Sequence, residues 1–260
     1  MKSVLTDIAR EAGAIAMRHF RKIDEAAVER KTTHRDLVTF VDKEVEQYTF
    51  DRLNREFPDH ALIGEESGQV SDGIGGLFIL DPIDGTVNYA RGLPHFGFSI
   101  ARKEGEKVTH GLTYLPAFDE MYYAEEGAGA SLNGEKIHVS EQGTISDSIV
   151  ATGFACIRGE LKPDGVPIFN SLIYKTRDLR RLGAATADLA YTARGLFEGF
   201  YEMGLSPWDV AAGSLLVTEA GGKFTGFAGE NNPLSGNKIL ATNARIHDEL
   251  QKLIEEALQG

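Results

Sequence analysis

Apolar residues at the start of the chain recur at helical spacing. Val4, Leu5, Ile8, Ala12, Ile15 and Ala16 fall on one side of a 3.6-residue period, with Asp7, Arg10 and Glu11 on the other. The pattern predicts an amphipathic first helix. A second helix is expected over roughly 37–57, stopped by Pro58. The character then changes. From His95 to Val139, short β-type runs alternate with turns containing Gly, Pro or Asn133-Gly134, which predicts a meander of antiparallel strands. Beyond Ser148 the pattern returns to strand and helix in turn. Residues 148–153, 199–203 and 238–243 read as strands; 184–194, 208–222 and Arg245 to Leu258 read as helices. No internal repeat, low-complexity tract or Pro/Ser-rich linker interrupts the chain. Two halves, 1–145 and 146–260, are expected to pack as layers of one compact α/β unit.

One stretch departs from these patterns. Leu77-Phe78-Ile79-Leu80 is continuously apolar and bounded by glycines before and Asp-Pro after, which predicts a short strand buried on both faces. It runs straight into Asp81-Pro82-Ile83-Asp84-Gly85-Thr86. Pro82 cannot continue a hydrogen-bonded ladder and Asp84-Gly85 favours a turn, so both carboxylates are expected on a stiff bend at the strand's carboxyl end. Open sheets covered by helices place ligands there. On these residues alone, a solvated turn explains the segment equally well.

Composition narrows the class. The 260 residues are 42% hydrophobic and 25% charged, the balance of an ordinary globular chain. The net charge of −12 and pI near 5.1 set a repulsive average field against a nucleic-acid backbone. The one basic run, Lys175 to Arg181, is broken by Asp178 and Leu179 and reads as a solvated face or a dimer contact. The single cysteine, Cys156, rules out an internal disulfide and fits a reducing compartment; in its apolar surroundings it reads as a buried small hydrophobe. Charges interrupt the N-terminal segment where a signal peptide would be apolar, and no apolar run approaches the ~20 residues of a spanning helix. A cytoplasmic protein, not bound to membrane, is the expectation.

Further acids sit at the ends of apolar runs. Glu65 and Glu66 follow Ala61-Leu62-Ile63-Gly64, Asp36 and Asp42 flank a loop-to-helix junction, and Asp209 opens the helix after Pro207-Trp208. Singly, Glu65 and Glu66 read as a solvated loop and Asp209 as a helix N-cap or first-turn acid. Together they are costly to gather unless a cation neutralises them. The seven histidines are scattered, with no His-x-x-x-His or Cys/His cluster, so the oxygen donors favour Mg²⁺ or Mn²⁺ over zinc. Four carboxylates suffice for two Mg²⁺ ions about 3.5 to 4 Å apart, an arrangement that clamps the attacking and leaving oxygens of phosphoryl transfer.

The segments Gly64-Glu65-Glu66-Ser67, Asp81 to Pro94 and Trp208 to Gly213, in this order and spacing, resemble the three signature segments of the inositol monophosphatase family, the lithium-sensitive Mg²⁺-dependent phosphatases. The resemblance extends over nearly the whole chain, since Leu37 to Asp42 and the surroundings of Asp209 also fit. The continuation Thr86-x-Asn88-Tyr89-x-x-Gly92-x-Pro94 is nearer to inositol monophosphatases than to histidinol-phosphate or nucleotide-phosphate relatives. The resemblance implies a layered αβαβα sandwich of the inositol monophosphatase and fructose-1,6-bisphosphatase type, most metal ligands in the first half, Asp209 and substrate contacts in the second, and a homodimer. It implies hydrolysis of polyol phosphate monoesters, inositol monophosphate first, with two or three Mg²⁺ ions, Mn²⁺ as a substitute and Li⁺ as an inhibitor.

Position by position, the resemblance gives the first ion to Glu65, Asp81 and the Ile83 carbonyl, and the second to Asp81, Asp84 and Asp209, with Asp81 bridging. Gly85 and Thr86 would offer backbone N–H groups to the phosphate. The Thr86 hydroxyl, bonded to Asp42, would assist Glu65 in deprotonating the attacking water. Ala185 and Glu202 would contact substrate hydroxyls, with Asp84 and Asp209 near the substrate as well. Glu66 would orient its neighbours and Lys31 would neighbour an entrance loop.

Three other readings are open to the same residues. An aspartyl-phosphate enzyme would carry Asp-x-Asp-Gly-Thr, whereas here the acids are one residue further apart. A dinucleotide enzyme would place its glycines after a strand, whereas Gly73 to Gly76 precede one. A non-catalytic interaction protein retaining the fold would be marked by lost ligands, whereas Glu65, Asp81, Asp84, Thr86 and Asp209 are all present. Among catalytic alternatives, fructose 1,6-bisphosphate and other sugar or nucleotide phosphates are further substrates of this fold.

Overall fold

A computed structural model describes residues 1–22, 29–30, 37–71, 73–231, 234 and 237–259. Lys31 and Asp36 lie outside the described residues. Helix α1 (Lys2–His19) buries Leu5, Ile8, Ala12, Ile15 and Ala16, the stripe expected from the sequence. Short strands β1 (Glu29–Arg30) and β2 (Leu37–Val38) pair antiparallel ahead of α2 (Phe40–Glu56). The second helix therefore starts three residues later than its apolar pattern suggested. Thr39 caps it: its hydroxyl accepts from the Val41 amide at 3.2 Å, so Leu37 and Val38 fall outside the helix.

An eight-stranded sheet follows, built from β3 (Ala61–Gly64), β4 (Gly68–Ser71), β5 (Leu77–Asp84), β6 (Gly97–Glu104), β7 (Lys107–Leu115), β8 (Glu120–Glu125), β9 (Gly129–Leu132) and β10 (Glu135–Lys136). Helix α3 (Thr86–Ala90) leaves the end of β5. The sheet order is β10-β9-β8-β7-β6-β5-β3-β4, antiparallel throughout except for β3 beside β5. The meander from His95 to Val139 is thus present as expected. Strand β5 corrects one expectation, because it continues past Leu80 to Asp84. Its ladder with β6 skips from Asp81↔Ser99 to Asp84↔Gly97, and Pro82, which has no N–H to give, falls in that gap.

The second half supplies α4 (Ala155–Arg158), α5 (Val166–Leu172), α6 (Ala185–Ala193), α7 (Pro207–Glu219) and α8 (His247–Gln259). Its five-stranded sheet contains β11 (Ile149–Thr152), β12 (Asp178–Arg180), β13 (Gly199–Met203), β14 (Lys223–Thr225) and β15 (Lys238–Thr242), in the order β12-β11-β13-β15-β14. The short α4, α5, β12 and β14 had no periodic signal of their own.

Alternation along the strands explains the layers. Phe78 and Leu80 of β5 face a core shared with Leu5, Ile8, Val41 and Leu53 of α1 and α2, while Ile79 faces the opposite way. There it joins Leu189 and Ala190 of α6, Val210 and Leu215 of α7, and Ala151, Phe200 and Ala241 of the second sheet. The outer face of that sheet, with Val150, Tyr201 and Leu240, packs on Ile168 and Leu172 of α5 and on Leu250 and Ile254 of α8, and Cys156 is buried among them. The result is the expected α/β sandwich of five layers, helix, sheet, helix, sheet, helix. Among the described residues no helix is long and apolar enough to cross a membrane.

Candidate metal centre

Two parallel neighbours in the large sheet deliver the first acids. Gly64 at the end of β3 sits beside Leu80 of β5, and the Glu65 amide donates to the Leu80 carbonyl at 3.2 Å. Glu65 and Asp81 thus leave adjacent strands at the same level. Asp84 follows at the end of β5, and Asp209 arrives from α7, which packs across β5, β6 and β7. Carboxylate oxygens of Asp81, Asp84 and Asp209 lie within 4.8 Å of one another.

Such a cluster is unfavourable by itself. At an effective dielectric of about 20, two like charges at this separation repel by roughly 3 to 4 kcal/mol. Asp81 is 1% exposed, and neither of its carboxylate oxygens meets a hydrogen-bond donor among the described residues. Burial, then the charges of Glu65, Asp84 and Asp209, hold its acid form well above the usual range. Burial and the same repulsion push up Asp209, although Asp84 and Asp209 both keep an edge to solvent. Asp84 rises to about 6 through burial, a rise limited by two bonds to Thr186. Two orphaned, buried oxygens amid all-oxygen neighbours fit a hard divalent cation.

Asp42 and Asp209 are positioned by the same local device. Each stands three residues after a capping Thr or Ser, and its Oδ2 accepts from that residue's amide: Thr39 at 2.9 Å, Ser206 at 2.6 Å. The cap reading for Asp209 is therefore correct in part, as the third helical residue closing a capping box. The bond occupies one oxygen and fixes the direction of the other. Asp42 is fully buried and uses its second oxygen across the fold, 3.2 Å from Thr86 Oγ1. Thr86 Oγ1 also lies 3.1 Å from the Ile83 carbonyl, so one hydroxyl proton is shared between two acceptors.

Gly85 joins Asp84 to α3 in the left-handed region, at φ 83°. A side chain there would be strained and would stand 2.9 Å from the His95 carbonyl and 3.1 Å from Ala184 Cβ. This closeness brings the start of α6 onto the acids. The Thr186 amide and hydroxyl donate to Asp84 Oδ2 at 2.7 and 2.8 Å, and Ala185 precedes it. Asn88, buried, donates to the carbonyls of His95 and Leu182 at 2.6 and 2.8 Å, tying α3 to the same corner.

Glu202 reaches this corner from the centre of the second sheet. It is 6% exposed, its Oε1 accepts from the Ala155 amide at 2.9 Å, and its carboxylate fills the space where a Gly153 side chain would be. Burial pushes it up to about 7 against the pull of that amide and of Arg158. Asp188, one turn along α6 from Ala185, is buried with Oδ1 unbonded among the described residues, and burial with the charge of Glu202 and Asp84 holds it well up.

The structure thus brings together Glu65, Asp81, Ile83, Asp84, Gly85, Thr86, Asp42, Ala185, Glu202 and Asp209 around one end of β5. Sequence reasoning missed Thr186, Asp188 and Gly153. Only the small-residue run Gly183-Ala184-Ala185 before α6 hinted at a close approach there. Glu66 donates its amide to Glu46 Oε2 at 3.0 Å. Gly73 to Gly76 form a loop against His60 and Ala61 ahead of β5, with no helix following. A cleft of about 440 Å³ between α2 and the turn after β3, walled by Lys43, Glu46, Phe50, Glu66 and Ser67 among others, includes none of Asp81, Asp84 or Asp209.

Fold and acids together define a layered α/β protein with a buried cluster of acids able to hold a metal ion. The chain belongs to the inositol monophosphatase family, whose model matches residues 1–259. A protein of Pseudomonas aeruginosa called Nus factor SuhB is 36% identical over 99% of this chain and 97% of its own length. The fructose-1,6-bisphosphatase/inositol-1-monophosphatase of Thermotoga maritima is 35% identical over 97% of this chain and 94% of its own. The solved inositol monophosphatase of Anabaena superposes with a TM-score of 0.88 at 35% identity, covering 98% of this chain and 94% of that one.

Proposed function

We propose that this protein hydrolyses phosphate monoesters of polyols, inositol monophosphate first among them, with Mg²⁺ as cofactor. The observation that carries the reading is the pair of orphaned Asp81 oxygens, buried against Asp84 and Asp209. Glu65, Asp81 and the Ile83 carbonyl would hold one ion, and Asp81, Asp84 and Asp209 a second, with Mn²⁺ able to substitute. Bound there, the cation supplies Lewis-acid activation of water and stabilises charge on the phosphoryl and leaving oxygens. The chain's own groups do the rest. Asp42 holds the Thr86 hydroxyl in place; the hydroxyl oxygen accepts a hydrogen bond from the attacking water, and the Glu65 carboxylate takes the water's proton. Gly85 and Thr86 present amides to the phosphate. Ala185 and Glu202 orient the polyol, so that its ester oxygen lies toward Asp209.

Residues 1–145 and 146–260 act in this reading as two halves of one unit, since neither contains all the acids. Lithium is expected to inhibit by competing for the position of the second ion, and the protein is expected to work in the cytoplasm as a homodimer. The test is a panel of inositol phosphates, fructose 1,6-bisphosphate, nucleotide phosphates and p-nitrophenyl phosphate under Mg²⁺. Turnover fastest on a polyol monoester supports the proposal; no ester hydrolysed faster than by Mg²⁺ alone would end it. The Thermotoga relative's name makes fructose 1,6-bisphosphate the first competitor.

A second reading is favoured by the several relatives named Nus factor SuhB. On it, this chain binds a protein or nucleic-acid partner of transcription through its surface. A partner retained equally by wild type and by Asp81→Asn would support that role, alone or beside catalysis.

A further inference from the structure

Glu46 lies on α2 one turn beyond Asp42 and is 4% exposed. A buried carboxylate is costly unless its oxygens are satisfied, and both of these are. Oε2 accepts from the Glu66 amide at 3.0 Å and Oε1 from the Ser67 hydroxyl at 2.6 Å. Space is made for it: a side chain on Gly64 would overlap the Glu46 carboxylate. The neighbouring buried positions of the helix, Val45, Phe50 and Leu53, are apolar and meet the core. Glu46 alone of this group points its charge at the turn after β3.

That turn carries Glu65. The amide of Glu65 is tied to β5 through the Leu80 carbonyl, and the next amide, of Glu66, is tied to α2 through Glu46. The peptide planes on both sides of the Glu65 Cα are therefore held by two different elements. A free turn of this length would leave the Glu65 side chain several directions to choose from.

Asp42 and Glu46 are an i, i+4 pair and so share a helix face, about 5 to 6 Å apart. The first holds Thr86 and the second holds the turn of Glu65. We propose that Glu46 is a positioning residue, and that this one face of α2 sets the spacing between Thr86 and Glu65, the two groups assigned to the attacking water. The inference rests on the metal reading given above, because it gives Glu65 a cation to meet.

The test combines Glu46→Ala, Glu46→Gln and Ser67→Ala with two readouts, amide hydrogen exchange at residues 65–67 in metal-free protein and Mg²⁺ binding by calorimetry. Glu46→Ala should speed exchange of the Glu66 amide at least tenfold and weaken Mg²⁺ binding by about tenfold, the lower range for losing a group that orients a metal ligand. Excess Mg²⁺ should restore most of the turnover. Ser67→Ala removes one bond at an exposed residue and should give a smaller shift in the same direction, which keeps the test decisive if Glu46→Ala fails to fold. Glu46→Gln retains an acceptor and should fall between wild type and Glu46→Ala. Asp81→Asn should do the reverse, losing Mg²⁺ while leaving the Glu66 amide protected. Folded Glu46→Ala with unchanged exchange, or with wild-type Mg²⁺ affinity, overturns the proposal. No Mg²⁺ binding by wild type overturns the metal reading and this inference with it, and is recognised before any substitution is made.

Discussion

Thr186 holds Asp84 with two bonds to a single oxygen, amide and hydroxyl at 2.7 and 2.8 Å, across 102 residues of sequence. This joins the end of β5 in the large sheet to the start of α6, and it holds down the acid that burial pushes up to about 6. Thr186→Val keeps the shape and the amide but removes the hydroxyl. A hydrogen bond to a charged group is worth roughly 1.5 to 3 kcal/mol. The Mg²⁺ concentration for half-maximal rate should therefore rise on the order of tenfold or more, with Thr186→Ser close to wild type. An unchanged Mg²⁺ requirement in Thr186→Val would show that Asp84 is set by β5 alone.

Substitutions at Thr86 and Asp42 should separate catalysis from stability. Thr86→Val removes the shared hydroxyl at a half-buried site and should lower kcat by about a hundredfold or more, within the range of general-base contributions, while the melting temperature stays near wild type. Asp42→Asn disturbs the same contact and also the Thr39 cap, which is worth about 0.5 to 2 kcal/mol. It should lose rate and melt several degrees lower. Circular-dichroism melts beside initial rates make the comparison; equal stability losses in both variants would contradict it.

If Glu202 orients the polyol as proposed, substrate binding should depend on pH. The acid form of Glu202 persists to about 7, held up by burial against the Ala155 amide, Arg158 and Arg181, with Asp84 adding to the rise. A charged acceptor binds hydroxyls better than a neutral one, so KM for inositol phosphate should fall as pH rises through about 7. Glu202→Gln should flatten that fall, raise KM more than it lowers kcat, and leave p-nitrophenyl phosphate nearly unaffected. Gly153→Ala should act similarly by displacing the carboxylate. The stability sign is opposite. A raised folded value stabilises below the unfolded value of 4.5, and that contribution is lost as pH rises through about 7. Metal-free Glu202→Gln should therefore gain progressively on wild type in melting temperature as pH rises between those limits. A uniform collapse of kcat on both substrates would assign Glu202 to the support of Asp209 instead.

Much of this was legible in the chain, and the limits have physical causes. The stripe of α1, the meander and the buried run Leu77 to Leu80 follow from periodicity, because burial acts on every residue of a long element. The acids were found through strand-end chemistry and signature segments. The start of α2 was misplaced because Leu37 and Val38 extend its apolar pattern, while the Thr39 cap decides where the helix begins. The end of β5 was misplaced because Pro82 breaks the ladder without ending the strand direction. Thr186, Glu46 and Gly153 were not visible as site residues. Each acts through one partner distant in sequence, Asp84, Glu66 or Glu202, and single contacts of that kind leave no periodic trace.

The account stands most directly on Asp81. The measurement is phosphate release from inositol monophosphate as Mg²⁺ is raised from zero, for wild type and for Asp81→Asn, with calorimetric Mg²⁺ binding and melting curves on the same samples. Wild type should be inactive without Mg²⁺, saturate with it, and gain melting temperature in step. Asp81→Asn should remain folded, melt no lower than metal-free wild type, bind Mg²⁺ much more weakly and release phosphate at least a thousandfold more slowly, within the broad span that single catalytic groups contribute. Asp81→Asn that binds Mg²⁺ and turns over like wild type, or wild type that releases phosphate equally well without any divalent cation, would contradict the claim that these buried oxygens exist to hold the ion.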